Sequence, residues 1–401
     1  MEFCLPSRVL PELAAWYPEL AAIRRDIHRS PEIGFETQNT SARIAWLLRD
    51  WGISDIDTET VKGGVLAVVN GSRPGATIAL RADIDALPMK DASLAEWSSE
   101  IDNRCHACGH DGHQTWLLAT VRYLALKRDF PGRVVAIFQP AEELGKGALA
   151  VIESGIFKRY GIQEIYGGHS EPLLAKGTFG FRSGPLQAAS DVFYVTLRGI
   201  GTHCGRPHLG IDPIPIGAQI VTAAQTLVSR RTNPIDTAVV SICSINAGSM
   251  DAPNIVPQTL TMSGCVRTFT PETRAMIQEK FTKIVQGIAL ANDCTAEVRY
   301  ENIICAVNND PSLAASVMGI AQELFGADRT VTVDPMMSSE DFAEYQRIVP
   351  GVIVRVGVRD KTHTAALHNA AFDFNDEVLP AAATLFVTIA RERLRILSDR
   401  N

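Results

Sequence analysis

The chain has 401 residues, 46% hydrophobic and 21% charged, too long for one ordinary hydrophobic core and too apolar for a disordered chain, so two folded domains are expected. A formal net charge of -7 and a pI near 5.8 leave no global positive field, which argues against nucleic acid as a partner. Residues 1–8 (Met-Glu-Phe-Cys-Leu-Pro-Ser-Arg) lack the basic start and apolar stretch of a leader, and no apolar run reaches the ~18–20 residues that span a bilayer, so a cytoplasmic protein without a membrane partner is expected.

In chain order, Leu13, Trp16, Leu20, Ile23 and Ile27 recur at helical spacing, and Ile44, Ala45, Leu47 and Leu48 predict a second helix before residue 51. Gly64–Val69, Thr77–Arg81, Val134–Phe138 and Gln163–Tyr166 read as buried strands, with a helix near Gln114–Leu126; this alternation predicts an α/β domain with a largely parallel sheet. From Asp191 the pattern becomes strand Val192–Leu197, helix 211–230, strands Ala238–Asn246 and Thr259–Thr268, helix Pro271–Ala291 and strand Thr295–Glu301. That β-α-β-β-α-β order is a ferredoxin-like unit. A helix near Leu313–Leu324, strand Val352–Val356 and a helix from about Glu377 then resume the first pattern. The expected organisation is a discontinuous catalytic domain, residues 1–187 and 304–401, interrupted by an inserted domain over 188–303.

The eight cysteines, at positions 4, 105, 108, 204, 243, 265, 294 and 305, are too sparse for a disulfide scaffold. Cys105 and Cys108 form a CxxC without the second Cys/His pair of a zinc ribbon. They open the cluster Cys105-His-Ala-Cys108-Gly-His110-Asp-Gly-His113, which concentrates thiol, imidazole and carboxylate in nine positions. Gly109 and Gly112 favour a tight turn that lets Cys108 and His110 approach one ion; the alternative is a helix start capped by Asp111. Glu142 and Glu143 follow the strand ending at Phe138. Asp83 and Asp85 follow another, and Tyr166-Gly-Gly-His169 is expected to close a third. Each site alone is equally a solvated turn, but four strand ends finished by Asp, Glu, His or Cys indicate a shared metal centre, with a remaining ligand from His363 or His368.

With these stretches, His28-Arg-Ser-Pro-Glu-Ile-Gly-Phe-Glu36, Gly201-Thr-His203, Pro207-His-Leu-Gly210, Asn254-Ile-Val-Pro257, Gly264-Cys-Val-Arg267, Ser339-Glu-Asp-Phe342 and Leu367-His368 run in order along nearly the whole chain. The chain resembles the aminoacylase, hippurate hydrolase and indoleacetyl-amino-acid hydrolase branch of the dinuclear metallopeptidase/aminoacylase superfamily. The resemblance implies a metallopeptidase-like α/β catalytic domain with an inserted ferredoxin-like lid and dimerisation domain. It implies two divalent ions per subunit held by Cys108, His110, Glu143, His169 and His368, with Glu142 as general acid/base and Asp85 as a carboxylate that orients a ligand. It further implies that Asn254 and Arg267 hold the substrate carboxylate, and that His203 assists at the scissile carbonyl across a homodimer. Thiolate ligation disfavours magnesium or calcium and leaves Zn, Mn, Co or Ni.

The sequence departs from the family pattern where Cys105 stands in place of a common Met, where Ala92–Arg104 lacks a Leu-Pro-Phe-like stretch, and where Ser170-Glu171 follows His169 in place of a common Asn. These changes leave the acyl and leaving-group pockets unassigned. The expected activity is hydrolysis of an N-acyl-amino-acid amide, with a small-dipeptide carboxypeptidase as the nearest alternative. An aromatic-amine deaminase is a second class, although Asn103-Arg104 rather than a proline precedes Cys105. A passive amino-acid or metal-binding protein is a third, in which paired Glu142 and Glu143 serve no purpose.

Overall fold

The computed structural model describes residues 8–399; Cys4 and the start of the chain, on which the leader-free reading rests, lie outside them. The chain forms two compact units. One comprises the chain up to Gly184, Asn308–Asp334 and the residues from Asp341 onward; the other comprises Pro185–Val307 and Pro335–Glu340.

The first unit is built on an eight-stranded sheet in the order Ile56–Asp57, Val65–Asn70, Pro131–Gln139, Arg73–Asp83, Ile162–Ala175, Gly351–Arg359, Phe179–Phe181, Thr330–Thr332. Its four middle strands, from Pro131–Gln139 to Gly351–Arg359, are parallel. Antiparallel pairs flank them. Apolar runs such as Val134–Phe138 and Val352–Val354 are buried throughout, as expected of strands covered on both faces. Helix His110–Lys127 is buried nearly all round over its first four turns, whereas Tyr17–Arg29 and Gln38–Asp50 bury only one face.

The second unit has strands Ala189–Arg198, Ala238–Ala247, Thr259–Thr268 and Thr295–Ile304 with helices Pro213–Thr226 and Pro271–Ala291. All its sheet pairings are antiparallel, which completes the ferredoxin-like order. Along Thr259–Thr268 burial alternates strictly: Leu260, Met262 and Val266 face the helices while Thr261 and Arg267 stand on the other side. Phe193 and Phe281, with ring centroids 4.2 Å apart, fill the core between sheet and helices.

Among the described residues, no helix is long and apolar enough to cross a membrane. The short strands Phe179–Phe181 and Thr330–Thr332, at the edge of the large sheet, are additional to the predicted elements.

Arg24 ties the N-terminal helices of the first unit to its C-terminal segment. Its fully buried guanidinium meets Asp376 at 2.5 Å, Asp373 at 2.9 Å and Asp111 at 3.4 Å, and donates to the Phe374 carbonyl at 3.1 Å. Removing one member of such a set strands buried carboxylates, so Arg24→Ala is expected to cost about 3–5 kcal/mol. Denaturant unfolding checks this; a loss below about 1 kcal/mol would mean the carboxylates are not held by Arg24.

Candidate metal centre

Seven of the predicted residues meet at one end of the large sheet in the first unit. Strand Arg73–Asp83 ends just before Asp85, and strand Pro131–Gln139 leads into the turn bearing Glu142 and Glu143. Cys108 lies in the loop before helix His110–Lys127, whose first residue is His110, and His368 lies in the loop before helix Leu379–Ser398. His169 differs from the expected strand end. Its strand continues to Ala175, because the residues beyond it keep pairing with Gly351–Arg359, so His169 projects from mid-strand.

The helix start follows neither reading of the sequence in full. Asp111 does not cap it; the N-cap is Gly109 in a left-handed conformation. Gly112 lies inside the first turn, where a Cβ would come within 2.3 Å of the Phe374 ring, so its role is close packing rather than a turn. Asp111 is spent on His28 and on its neighbour's backbone, accepting from Gly112 N at 2.9 Å.

The ligand-type atoms converge. Within the sets Cys108–His110–His169, Cys108–Glu143–His368 and His110–Glu142–Glu143, all lie within 4.8 Å of one another. Cys108 Sγ is 3.5 Å from His169 Nε2, His368 Nε2 is 3.5 Å from Glu143 Oε1, and His110 Nε2 is 3.8 Å from the same oxygen. Ligands about 2.0–2.3 Å from a tetrahedral ion are separated by roughly 3.3–3.8 Å, so these edges fit ions at the centre of the cluster.

The hydrogen bonds around the imidazoles support that fit. His110 Nδ1 donates to the Asp85 carbonyl and His169 Nδ1 to the Ser170 carbonyl, both at 2.8 Å. A carbonyl only accepts, so each Nδ1 carries a hydrogen, and Nε2 is the nitrogen each ring has left to offer an ion. His110 Nε2 and Glu143 Oε1 are buried without a hydrogen-bond partner. Buried polar atoms of that kind are costly unless something else satisfies them. His363, the other candidate for the last ligand, is instead occupied by Asp360 at 2.9 Å.

Charge is concentrated here. Burial opposes ionisation of His110, yet Asp83, Asp85 and Glu143 raise its pKa to about 10. Burial and the neighbouring Arg355 and His113 drive His169 well down. Burial, with Glu143, Glu142 and Asp83, pushes the Cys108 thiol well up. Burial works against the Glu143 charge too, but His368 and His110 outweigh it and lower its pKa. Three carboxylates, Asp83, Asp85 and Glu143, thus act on one buried imidazole, a setting that suits a cation.

Sequence reasoning places Asp83 and His113 among the candidate chemistry but does not single out Arg81 or Gln139 as the support behind these groups. Arg81 donates to Asp83, Gln139 and Asp341 at 2.7–2.8 Å, and Gln139 Nε2 and Ala148 N also donate to Asp341. Asp341 N in turn donates to Glu142 Oε1 at 3.4 Å. His113 is held on both nitrogens, by Asp83 at 2.6 Å and by Ser170 N at 2.9 Å. Ala141 and His368 both have positive φ, +57° and +60°, sparsely populated values for residues with a Cβ. The signal available for Asp341 was its place in Ser339-Glu-Asp-Phe342; nothing in the sequence marks Ala141.

In the second unit, His203 is exposed on the short strand Thr202–His203 and pairs with Ile255, next to exposed Asn254. His203 Nδ1 accepts from Gly205 N at 3.0 Å, so its remaining proton sits on outward Nε2. Arg267 stands on the sheet face away from the helices and donates to Ser339 Oγ at 2.7 Å.

Asp85 is expected to position this centre through the backbone. Its two carboxylate oxygens accept from Glu142 N at 3.0 Å and Glu143 N at 3.2 Å. In Asp85→Asn one of these N–H groups faces an amide NH2, so zinc affinity should fall about 10–100-fold and stability by ~1–3 kcal/mol. Zinc competition with a chromophoric chelator and thermal unfolding test this; unchanged affinity would mean the two glutamates are held without Asp85.

The model of peptidase family M20/M25/M40 matches residues 79–392. The chain is 36% identical over 377 residues to an N-acetylcysteine deacetylase of Bacillus subtilis, covering 94% of this chain and 97% of that one. It is 35% identical over 390 residues to a hippurate hydrolase of Campylobacter jejuni, covering 96% and 100%. Among solved structures, a Bacillus subtilis protein described as a dinuclear metal-binding peptidase of the M20 family superposes with a TM-score of 0.84 at 34% identity, covering 95% of this chain and 99% of that one.

Proposed function

Because the chain belongs to peptidase family M20/M25/M40, we propose that it is a metal-dependent amidohydrolase that cleaves N-acyl-amino acids into a carboxylic acid and the free amino acid. The observation that carries this reading is the convergence of buried Cys108, His110 and His169 with half-buried Glu143 and exposed His368, beside a second carboxylate, Glu142, in a chain similar along its length to two acyl-amino-acid hydrolases. These five residues would hold two divalent ions. The thiolate and imidazoles suit Zn, Mn, Co or Ni better than Mg or Ca. Two such ions supply a polarised amide carbonyl and water acidic enough to react near neutral pH.

The chain's own groups do the rest. Glu142, with one oxygen tethered by Asp341 N, takes the proton of the attacking water and returns it to the leaving nitrogen. Arg267 and Asn254 hold the substrate carboxylate, the guanidinium pairing with both oxygens. We further propose a cytoplasmic homodimer in which Nε2–H of His203 donates to the developing oxyanion in the neighbouring subunit.

Glu142→Gln is expected to lower kcat by about 10²–10⁴-fold or more with metal content near that of wild type, whereas Glu143→Ala should lose bound metal as well as activity. Elemental analysis beside turnover separates them; near-normal turnover in Glu142→Gln would remove it from the mechanism.

The reaction itself is tested by release of free amino acid from N-acetyl, N-benzoyl and indoleacetyl conjugates, with dipeptides alongside. Faster cleavage of dipeptides than of every acyl conjugate would favour the small-dipeptide carboxypeptidase. Within that panel carboxamide forms should be poor substrates, and Arg267→Ala should mainly raise KM; equal rates on carboxylate and carboxamide would exclude a carboxylate grip.

Action in trans is decided by mixing inactive His203→Ala and Glu142→Gln under subunit exchange. A random equal mixture should recover up to about a quarter of wild-type activity, because half the dimers carry one intact site of two. No recovery despite exchange would confine His203 to its own chain.

A further inference from the structure

A second group of metal-ligating side chains lies in the first unit, separate from the five residues above. His28, Asp91 and Cys105 place a ring nitrogen, a carboxylate oxygen and a thiol within 4.8 Å of one another. The His28 and Asp91 side chains are 0% and 3% exposed, and Cys105 is 0% exposed. His28 closes helix Tyr17–Arg29, whereas Asp91 and Cys105 bracket the loop between strand Arg73–Asp83 and helix His110–Lys127. Cys105 is pinned by reciprocal backbone hydrogen bonds with Leu87, at 3.0 and 3.1 Å.

We propose that His28, Asp91 and Cys105 form an additional binding site for one thiophilic divalent ion, of the zinc class, that clips the N-terminal helix to the loop leading into Cys108.

Three features carry this. His28 Nε2 and Asp91 Oδ2 are 3.2 Å apart, close to the roughly 3.3 Å edge of a tetrahedron with bonds near 2.0 Å. His28 Nδ1 is 2.7 Å from Asp111 Oδ2, the carboxylate–imidazole arrangement that orients a histidine towards a metal and strengthens it as a ligand. Asp91 is itself oriented, accepting from Ser93 N and Ser99 N, both at 2.8 Å, so one carboxylate is preset towards His28. One His, one carboxylate and one thiolate leave a fourth position open. His106 lies near His28, its ring centroid 6.2 Å away, and its two buried nitrogens have no hydrogen-bond partner.

The charges balance. Without an ion, each His28 ring nitrogen faces a carboxylate oxygen, Asp111 at 2.7 Å and Asp91 at 3.2 Å, so both carry hydrogen, and buried Cys105 is a thiol. Entry of one M²⁺ releases the His28 Nε2 proton and the Cys105 proton, two charges in for two out. The buried cluster therefore keeps its net charge, which lowers the electrostatic cost of filling it.

The test is zinc stoichiometry on the full chain, stripped with chelator and reloaded with Zn²⁺ at limiting free concentration. Wild type is expected to bind one more ion per chain than Cys105→Ala or Asp91→Asn, with zinc affinity at that step reduced at least 10-fold in either variant. Reloading with Co²⁺ should give thiolate-to-cobalt absorption that falls by one thiolate in Cys105→Ala. The readout is a difference between proteins that all retain Cys108, so it stands whether or not the other centre binds two ions. Asp91→Asn keeps the shape of the loop if Cys105→Ala fails to fold. Equal stoichiometry and identical cobalt spectra in wild type and the foldable variants would overturn the proposal and leave a hydrogen-bonded cluster only.

Discussion

The carboxylate of Asp85 accepts the backbone N–H groups of Glu142 and Glu143, while its backbone carbonyl accepts from His110. Two expected ligands and the expected acid/base are thus indexed to one buried residue just past the end of one strand. The arrangement is demanding because burial raises the Asp85 pKa and the nearby negative charge of Glu143 adds to that effect. Only dense hydrogen bonding makes such a carboxylate tolerable in the interior. Two backbone donors provide it, and the His110 imidazole lies 3.6 Å from one of the carboxylate oxygens.

Behind Asp85, the chain Arg81–Gln139–Asp341–Glu142 performs a similar task from the other side. Arg81 compensates Asp83 and Asp341, and Asp341 in turn fixes Gln139, Ala148 and Glu142. The left-handed Ala141 is held within this frame by its N–H to Gly34 and by its carbonyl, which receives Gly147 N. Local strain of this kind persists where surroundings over-determine the backbone. Here the result is a turn that delivers two consecutive carboxylates to one cluster.

The sequence makes some of this plain and hides the rest for physical reasons. Strands Pro131–Gln139 and Gly351–Arg359 are legible because central parallel strands are contiguous apolar runs. Strand Thr259–Thr268 and helix Pro271–Ala291 are legible because alternation and helical spacing mark one covered face. Phe179–Phe181 is three residues long and offers no period to detect. Cys108 and His110 stand out because such chemistry is crowded into a few positions. Asp341 does not, since its meaning comes from Gln139, 202 residues away in sequence. The mid-strand position of His169 is concealed by Gly167-Gly168, which resemble a turn but make room for the Phe342 and Phe386 rings.

The interruption of the first unit sets an order on how the protein is made. Strand Ile162–Ala175 emerges early in synthesis, yet its neighbour on one side, Gly351–Arg359, follows only after the whole second unit has been made. During that interval the nascent chain carries an apolar strand edge with no permanent occupant, the condition that invites pairing between chains. Arg355, placed in the middle of the late apolar strand and opposite His169, breaks the run with a charge, as gatekeeper residues do. The second unit has its whole four-stranded sheet within residues 189–304 and so can close that sheet while the first waits. His368 lies beyond that late strand. The last member of the candidate cluster therefore arrives only once the sheet that supports it can close.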